Sequence, residues 1–590
     1  MNAEKISHAK PTVHSPAVVR PKCVAASPKD SIPPAYEALG NKFSHAKLSY
    51  IARQILPVSE IRPQAIKALQ NHRFVSYSTE EIDSVLEPLK NTVRIGQSDL
   101  YAFATESQIK ECAAEYSRSV QAFVSQNPPR TSDCIPDFLS ALSSAIQFTG
   151  ITFPLEALTV GDRETEEGYK RRVISALARL HCDRWWRRQL RKQCHRTAEN
   201  YMRKTGRVGR GISPYISTYT NSRIRSREDI SKEFLKNSMV ESDAGDLLTL
   251  ESVAASSLAN PRNRLSEAYA RAVGCDHIRE EFKLSAVFVT ITAPSRFHSR
   301  IVKGEGSIPN PKFDGSTPRE CQEYLSKVWA RIRASLARHC IDAFGMRVAE
   351  GHHDGSIHWH LMIYVEPKSL DSLIDICDRY ATQEDAGELT TEKKQKARFH
   401  AEIIDTSRAA PRTYLFKYLT KNLQGSQEIS DETGGPISET VDSVRRLCST
   451  YGIRQFQFFG QPSVTVWRQL RRLKDKNLGE LSAEHFSEIR EAACAGNWAE
   501  FVRLMGGACT PRKDQPIKPL REYRGENDYG DFVYEIRGLV MAQCLEEIES
   551  GAFSRTVITS DKTWRVLTPY EVSSRFGFRG RAAAPLDNYQ

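Results

Sequence analysis

Apolar positions in this chain change period twice. From about residue 60 to 245 they recur at helical spacing. In Arg171 to Lys204 the positions Val173, Leu177, Leu180, Trp185 and Leu190 predict one long helix. Gly206, Gly209, Gly211 and Pro214 then break the pattern. After Phe282 short β-branched runs take over. Leu284 to Pro294 predicts a strand that stops at its proline. Thr317 to His339 predicts an amphipathic helix, with Thr317 as cap, Pro318 in the first turn and Glu320 completing a capping box. Phe344 to Glu350 and Ile357 to Val365 predict a hairpin turning at Asp354-Gly355. Phe399 to Asp405 predicts a short strand, and Pro411 to Gly425 brackets a helix. Arg454 to Gly460 and Pro462 to Leu473 predict a strand, a turn and a basic helix. Beyond about 476 the pattern predicts helices, then a charged Gly/Tyr-rich stretch and a loose tail.

This order predicts an α+β protein in four parts: a flexible arm at 1–60, a mostly helical, basic, DNA-binding region at 61–245, a central domain at 246–476 and a smaller C-terminal helical region with a loose tail at 477–590. A chain of 590 residues is too long for one core. With 40% hydrophobic and 26% charged residues it reads as globular. No apolar run reaches the length of a membrane span, and the first residues lack the apolar core of a secretory signal, so a membrane partner is not expected. Thirteen cysteines without a repeating spacing point to reduced thiols rather than a disulfide framework.

The net charge of +11 favours a polyanionic partner. Two basic groups stand out. Arg184, Arg187, Arg188, Arg191 and Lys192 surround Trp185 and Trp186, a combination that fits backbone contacts and base stacking, or equally a solvated face over buried tryptophans. Arg468, Arg471 and Arg472 form the second. Cys182 and Cys194, beside His181 and His195, fit no standard zinc finger.

The chemistry concentrates in two strings. In His358-Trp359-His360 the two histidines point to one face of a strand. The partner strand returns Glu350 across the turn. Two imidazoles and a carboxylate with open positions suit Mg²⁺ or Mn²⁺ acting on a phosphate. His352 and His353 lie in the turn as further ligands or DNA contacts. A closed structural zinc site would want cysteines, which lie far off in sequence. The second string, Tyr414-Leu-Phe-Lys-Tyr418, puts two tyrosines on one helix face, where two nucleophiles can take turns at one phosphate. Lys417 and Lys421 each follow a tyrosine by three residues, placed to favour phenolate or to neutralise charge in the transition state. Alone, such a tyrosine pair is more often packing; after a His-x-His hairpin in a basic chain it reads as catalytic. Gly-Lys does not occur, so no phosphate-loop motor is expected.

These residues resemble a known family. The paired histidines resemble the motif of HUH endonucleases. The set CDRWWRRQLRKQ, LANPRNR, FVTITAPSRFH, PNPKFDGSTPRECQEYLSKVWARIRA, FGMRVAEGHHDGSIHWHLMIYV, TYLFKYLTKN and YGIRQFQFFGQPSVTVWRQLRRL is similar to the replication gene A proteins of temperate tailed bacteriophages. Gly351 stands where that pattern has proline. The resemblance implies a nuclease domain built on a five-stranded antiparallel sheet. It implies a site- and strand-specific endonuclease and strand transferase that starts and finishes rolling-circle replication through a 5′-phosphotyrosine. Tyr414 and Tyr418 would be the nucleophiles and His358 and His360 the metal ligands, with no nucleotide cofactor. Its partners would be phage origin DNA, a host replicative or repair helicase and DNA polymerase, in the cytoplasm of the bacterial host. A transposase or relaxase shares this chemistry. A DNA-binding regulator with a structural metal is the reading from another class.

Overall fold

A computed structural model describes residues 34–129, 131, 134–153, 158, 164–408, 410–414, 437–473, 484–541, 556–560 and 562–576. They fall into two compact units divided between Thr197 and Ala198.

The first unit is helical. The helix expected over Arg171 to Lys204 is two helices, Glu166–Leu180 and α1 (Asp183–Lys204). The break is satisfied locally, since the Trp186 indole N–H donates to the Leu180 carbonyl at 2.7 Å. Trp185 and Trp186 are both buried, and Trp186 packs edge-on against Tyr116. The expected arm ends early: His45–Ile55 is already a helix, burying Leu48, Ile51 and Ile55.

The second unit is organised by a five-stranded antiparallel sheet. Its strands are β1 (Ser285–Thr292), β2 (Ala343–Gly351), β3 (Ile357–Val365), β4 (Phe399–Ile403) and β5 (Phe456–Phe459). They are ordered β4-β1-β3-β2-β5. Period-two alternation gives the sheet two apolar faces. Val287, Val289, Trp359, Leu361 and Ile363 share a core with Cys321, Leu325, Val328 and Ile332 of helix α3 (Pro318–Arg338). Phe288, Met346, Met362 and Tyr364 share the other core with Leu265, Ala272 and Ile278 of helix α2 (Pro261–Glu281) and with Trp498 and Phe501. Burial on both sides explains why Leu361 to Val365 is apolar without alternation. Helix α3 starts as its sequence predicts, with the Thr317 cap and Glu320 completing a capping box.

The C-terminal part differs from expectation. After helices Glu484–Cys494 and Trp498–Leu504, a long hairpin forms from Ile517–Glu526 and Phe532–Met541. Only its base carries a clear apolar signal: Ile517, Leu539 and Met541 enter the core, while Arg521 to Arg524 are exposed. Charged residues on both faces of the outer half hid the strand period from the sequence.

Candidate metal centre and tyrosine

Register builds the site. β2 and β3 pair Glu350 with His358 and Val348 with His360, and β1 pairs Thr290 with His360. One sheet face therefore carries Glu350, His358 and His360 together. Glu350 and His360 are 6% and 7% exposed, and the His358 side chain 11%. Their ligand atoms converge: His358 Nε2 lies 2.8 Å from His360 Nε2, His360 Nε2 2.9 Å and His358 Nε2 3.4 Å from Glu350 Oε2. It is the one such cluster of three or more metal-ligand side chains among the described residues.

These spacings fit a divalent ion. Ligands about 2.1 Å from an ion and at right angles to one another lie about 3.0 Å apart. Thr290 Oγ1 contacts His360 Nδ1 at 3.0 Å. With that nitrogen carrying the proton, Nε2 presents its lone pair to the cluster. The His358 Nδ1 atom is buried and has no hydrogen-bond partner in the protein. Two imidazoles and a carboxylate, without thiolate, suit a hard or borderline ion.

The turn joining β2 to β3 adds a second layer. Gly355 adopts φ +80°, and a Cβ there would meet the Tyr215 carbonyl oxygen at 3.0 Å. Asp354 is buried and accepts from the Ser299 N–H at 2.7 Å and the Ser356 hydroxyl at 2.6 Å. Burial pushes its carboxyl up, but the hydrogen bond and charge of His298 and the charge of Arg203 outweigh this and hold it well below the carboxylate range. Since the Ser356 hydroxyl donates to Asp354, it accepts from His298 Nδ1, 2.8 Å away. His352 packs its ring 4.0 Å from that of His358, centroid to centroid. Burial, followed by the charges of His358 and His298, pushes the His352 imidazole well below its usual range.

Tyr414 reaches this centre through one ring. Phe288 stacks on His360 at 5.4 Å and 15°, and the Tyr414 ring lies 6.2 Å from Phe288. The Tyr414 hydroxyl faces Glu402 Oε1 at 3.5 Å. Residues 411–414 are helical, as their sequence predicts. Asp276, fully buried on α2, anchors this start by accepting from the Arg412 N–H at 2.9 Å and the Tyr364 hydroxyl at 2.7 Å. Lys417, Tyr418 and Lys421 lie outside the described residues.

The family model of the bacteriophage replication gene A protein matches residues 104–426, more than half of the chain. The chain belongs to the bacteriophage replication gene A protein family. Curated relatives agree with the family. The replication gene A protein of Escherichia phage 186 is 34% identical over 70% of this chain and 58% of its own length. That of Escherichia phage P2 is 30% identical over 70% and 54%. A probable replication endonuclease from a prophage-like region of Salmonella typhimurium is 33% identical over 62% and 46%. The chain thus spans about half the length of these relatives. No solved structure matches it.

Within this family member the predicted basic groups lie apart from the metal cluster in sequence and differ in environment. On α1, Arg184 and Lys192 are exposed, Arg187 and Arg188 half-buried, and Arg191 is buried in a two-pronged ion pair with Glu106. Arg468 forms a similar fork with Glu267, Arg471 lies 5.8 Å over Trp467, and Arg472 is exposed. Sequence reasoning missed His298, Glu402, Phe288 and Asp276, and named Asp354 only as a turn residue. The alternation of Phe399 to Ile403 carried a signal for Glu402.

Proposed function

We propose that this chain is a replication-initiator endonuclease that nicks one DNA strand at a phage origin and stays joined to it through a 5′-phosphotyrosine. The observation that carries the reading is the placement of Tyr414 one aromatic ring away from a converged Glu350–His358–His360 cluster. A divalent ion held by those three side chains would supply polarisation of the scissile phosphate and charge neutralisation.

The protein's own groups do the rest. Tyr414 Oη attacks phosphorus and the 3′-oxygen leaves with its electron pair, so one phosphodiester becomes another ester and no nucleotide is consumed. A phenol has a pKa near 10 and must lose its proton to attack. Glu402, facing the hydroxyl, is placed to accept it. Thr290 fixes the orientation of the His360 ring. Tyr418 is the second nucleophile, which cuts the regenerated site so that the displaced circle can be closed, making the enzyme a strand transferase of the HUH two-tyrosine type. Lys417 and Lys421 neutralise transition-state charge, and the two basic groups, Arg184, Arg187, Arg188, Arg191 and Lys192 and then Arg468, Arg471 and Arg472, contact the DNA backbone. Unwinding falls to a host helicase and synthesis to a host polymerase, in the bacterial cytoplasm. No helix among the described residues is long and apolar enough to cross a membrane.

A covalent-adduct assay tests the reading. Labelled single-stranded fragments tiling the cognate phage or prophage genome are incubated with protein and Mg²⁺ or Mn²⁺, then run on denaturing gels. An adduct on one fragment, lost in the Tyr414→Phe/Tyr418→Phe double variant and in His358→Ala, supports it. Tight DNA binding with no adduct on any fragment would turn the reading to a non-catalytic DNA-binding protein.

A further inference from the structure

Beside the Glu350–His358–His360 cluster lies a small cavity of about 70 Å³ whose lining includes Arg210, His298, Arg300, Val302, His352 and Asp354. Its walls come from three separate stretches of chain: the glycine-rich loop after α1, the hairpin Arg300–Lys303/Gly306–Pro309, and the β2–β3 turn.

The loop is built around Arg300. A Cβ on Gly206, which adopts φ +75°, would lie 2.7 Å from Arg300 Nη1, and one on Gly209 would lie 2.6 Å from Arg300 Cδ. The guanidinium is fixed by donating to the Ser307 hydroxyl at 2.8 Å and to the Ser307 carbonyl. The Ser307 hydroxyl in turn donates to the Arg210 carbonyl at 3.1 Å, so the two arginines are tied to one serine. Across the cavity, His352 Nε2 is buried and has no hydrogen-bond partner in the protein.

Two guanidinium-bearing residues and an unpartnered imidazole nitrogen suit an anion. The acid in the wall does not oppose this. Asp354 already accepts from the N–H of Ser299, the N–H of Ser356 and the Ser356 hydroxyl. A second cation is disfavoured by the arginines, and the ligand atoms of His298, His352 and Asp354 do not converge as those of Glu350, His358 and His360 do. The volume admits one phosphate group rather than a base.

We propose that this cavity binds a backbone phosphate of the substrate strand other than the scissile one, with Arg210 and Arg300 as the charged contacts and the buried Nε2 of His352 as a further contact. The site would hold the strand in register beside the metal cluster without reading its sequence. The inference rests on DNA being the ligand, as in the reading above, but not on cleavage.

The test is fluorescence anisotropy of a labelled single-stranded 30-mer of mixed sequence, in EDTA, over a salt series, for the full chain and its Arg210→Ala and Arg300→Lys variants. Arg300→Lys keeps the charge but loses the fork; melting curves check that both variants fold. Expected is about tenfold weaker binding by Arg210→Ala on every sequence tried, with the slope of log affinity against log salt smaller by about 0.7. A 30-mer with a neutral methylphosphonate backbone should show no difference between wild type and variant. Unchanged affinity and slope in both variants would overturn the proposal, as would a second Mn²⁺ per chain by calorimetry that is lost in His298→Ala. Binding is read without metal, so a failed adduct assay and a failed phosphate contact are separate results.

Discussion

The Asp276 carboxylate accepts the main-chain N–H of Arg412 at 2.9 Å, two residues before Tyr414. A fully buried acid on α2 thus sets where the tyrosine-bearing helix begins. Burial raises its carboxyl, against the hydrogen bonds from Tyr364 and Arg412. Asp276→Ala leaves both donors without their acceptor. We expect adduct formation to slow by about tenfold or more while Mn²⁺ affinity is unchanged. Asp276→Asn, which keeps one acceptor oxygen, should recover part of the rate. Equal rates for Ala and wild type in single-turnover gels would count against an anchoring role.

The Thr290 hydroxyl touches His360 at Nδ1. Thr290→Val conserves shape and removes that contact. Outer partners of metal-bound histidines are worth about 10–100-fold in affinity. Calorimetry with Mn²⁺ should show a loss in that range for Thr290→Val and a larger one for His358→Ala or Glu350→Gln. An intact affinity in Glu350→Gln would remove the carboxylate from the ligand set.

Glu228 ties the helix Thr218–Asn237 to the helix Ile437–Tyr451 by accepting from Arg446 at 2.8 Å and pairing with Arg445 at 2.8 Å. Burial raises its carboxyl, but the hydrogen bonds and charges of Arg445 and Arg446 win and hold it below the usual range. The folded state therefore favours the ionised form. This stability is present above the unfolded value of about 4.3 and lost as pH falls through the folded one. Glu228→Gln should melt about 2 °C or more below wild type at pH 7. The gap should narrow below about pH 4. A gap that stays constant down to pH 3 would show that the charge is not what stabilises the contact.

Gly355 sits in the β2–β3 turn with φ +80° and little room for a side chain, since Arg203 Nε would lie 3.3 Å from an added Cβ. Gly355→Ala should cost about 1–3 kcal/mol in urea unfolding. It should also weaken Mn²⁺ binding, because the turn joins the strands that carry the ligands. Wild-type values for both would mean that the turn relaxes without strain.

The sheet and the convergence of Glu350, His358 and His360 on one of its faces were legible because both rest on local signals. Strand period placed His358 and His360 together, and the Asp354-Gly355 turn returned Glu350 opposite. The capping box of α3 was legible for the same reason. Long-range placements were not. Tyr414 meets the cluster through Phe288, whose role depends on how β1 lies beside β3. His298 and Asp276 come from positions 60 and 84 residues before His358 and His360, respectively, and no spacing in the sequence ties either to the histidines. Trp185 and Trp186, weighed as stacking residues, are buried because a helix break turns them inward. The outer C-terminal hairpin escaped notice because its residues are charged on both faces.

The pairing of Glu350 with His358 has a consequence for folding. A slip of one residue between β2 and β3 would move Glu350 to the opposite face, where Trp359 and Leu361 point, and would split the three ligands. An ion that needs all three binds the correctly paired sheet and ignores the slipped one. By mass action it would draw misaligned chains toward the working alignment. The same three side chains proposed to prepare a phosphate for attack would also proofread the hairpin that carries them.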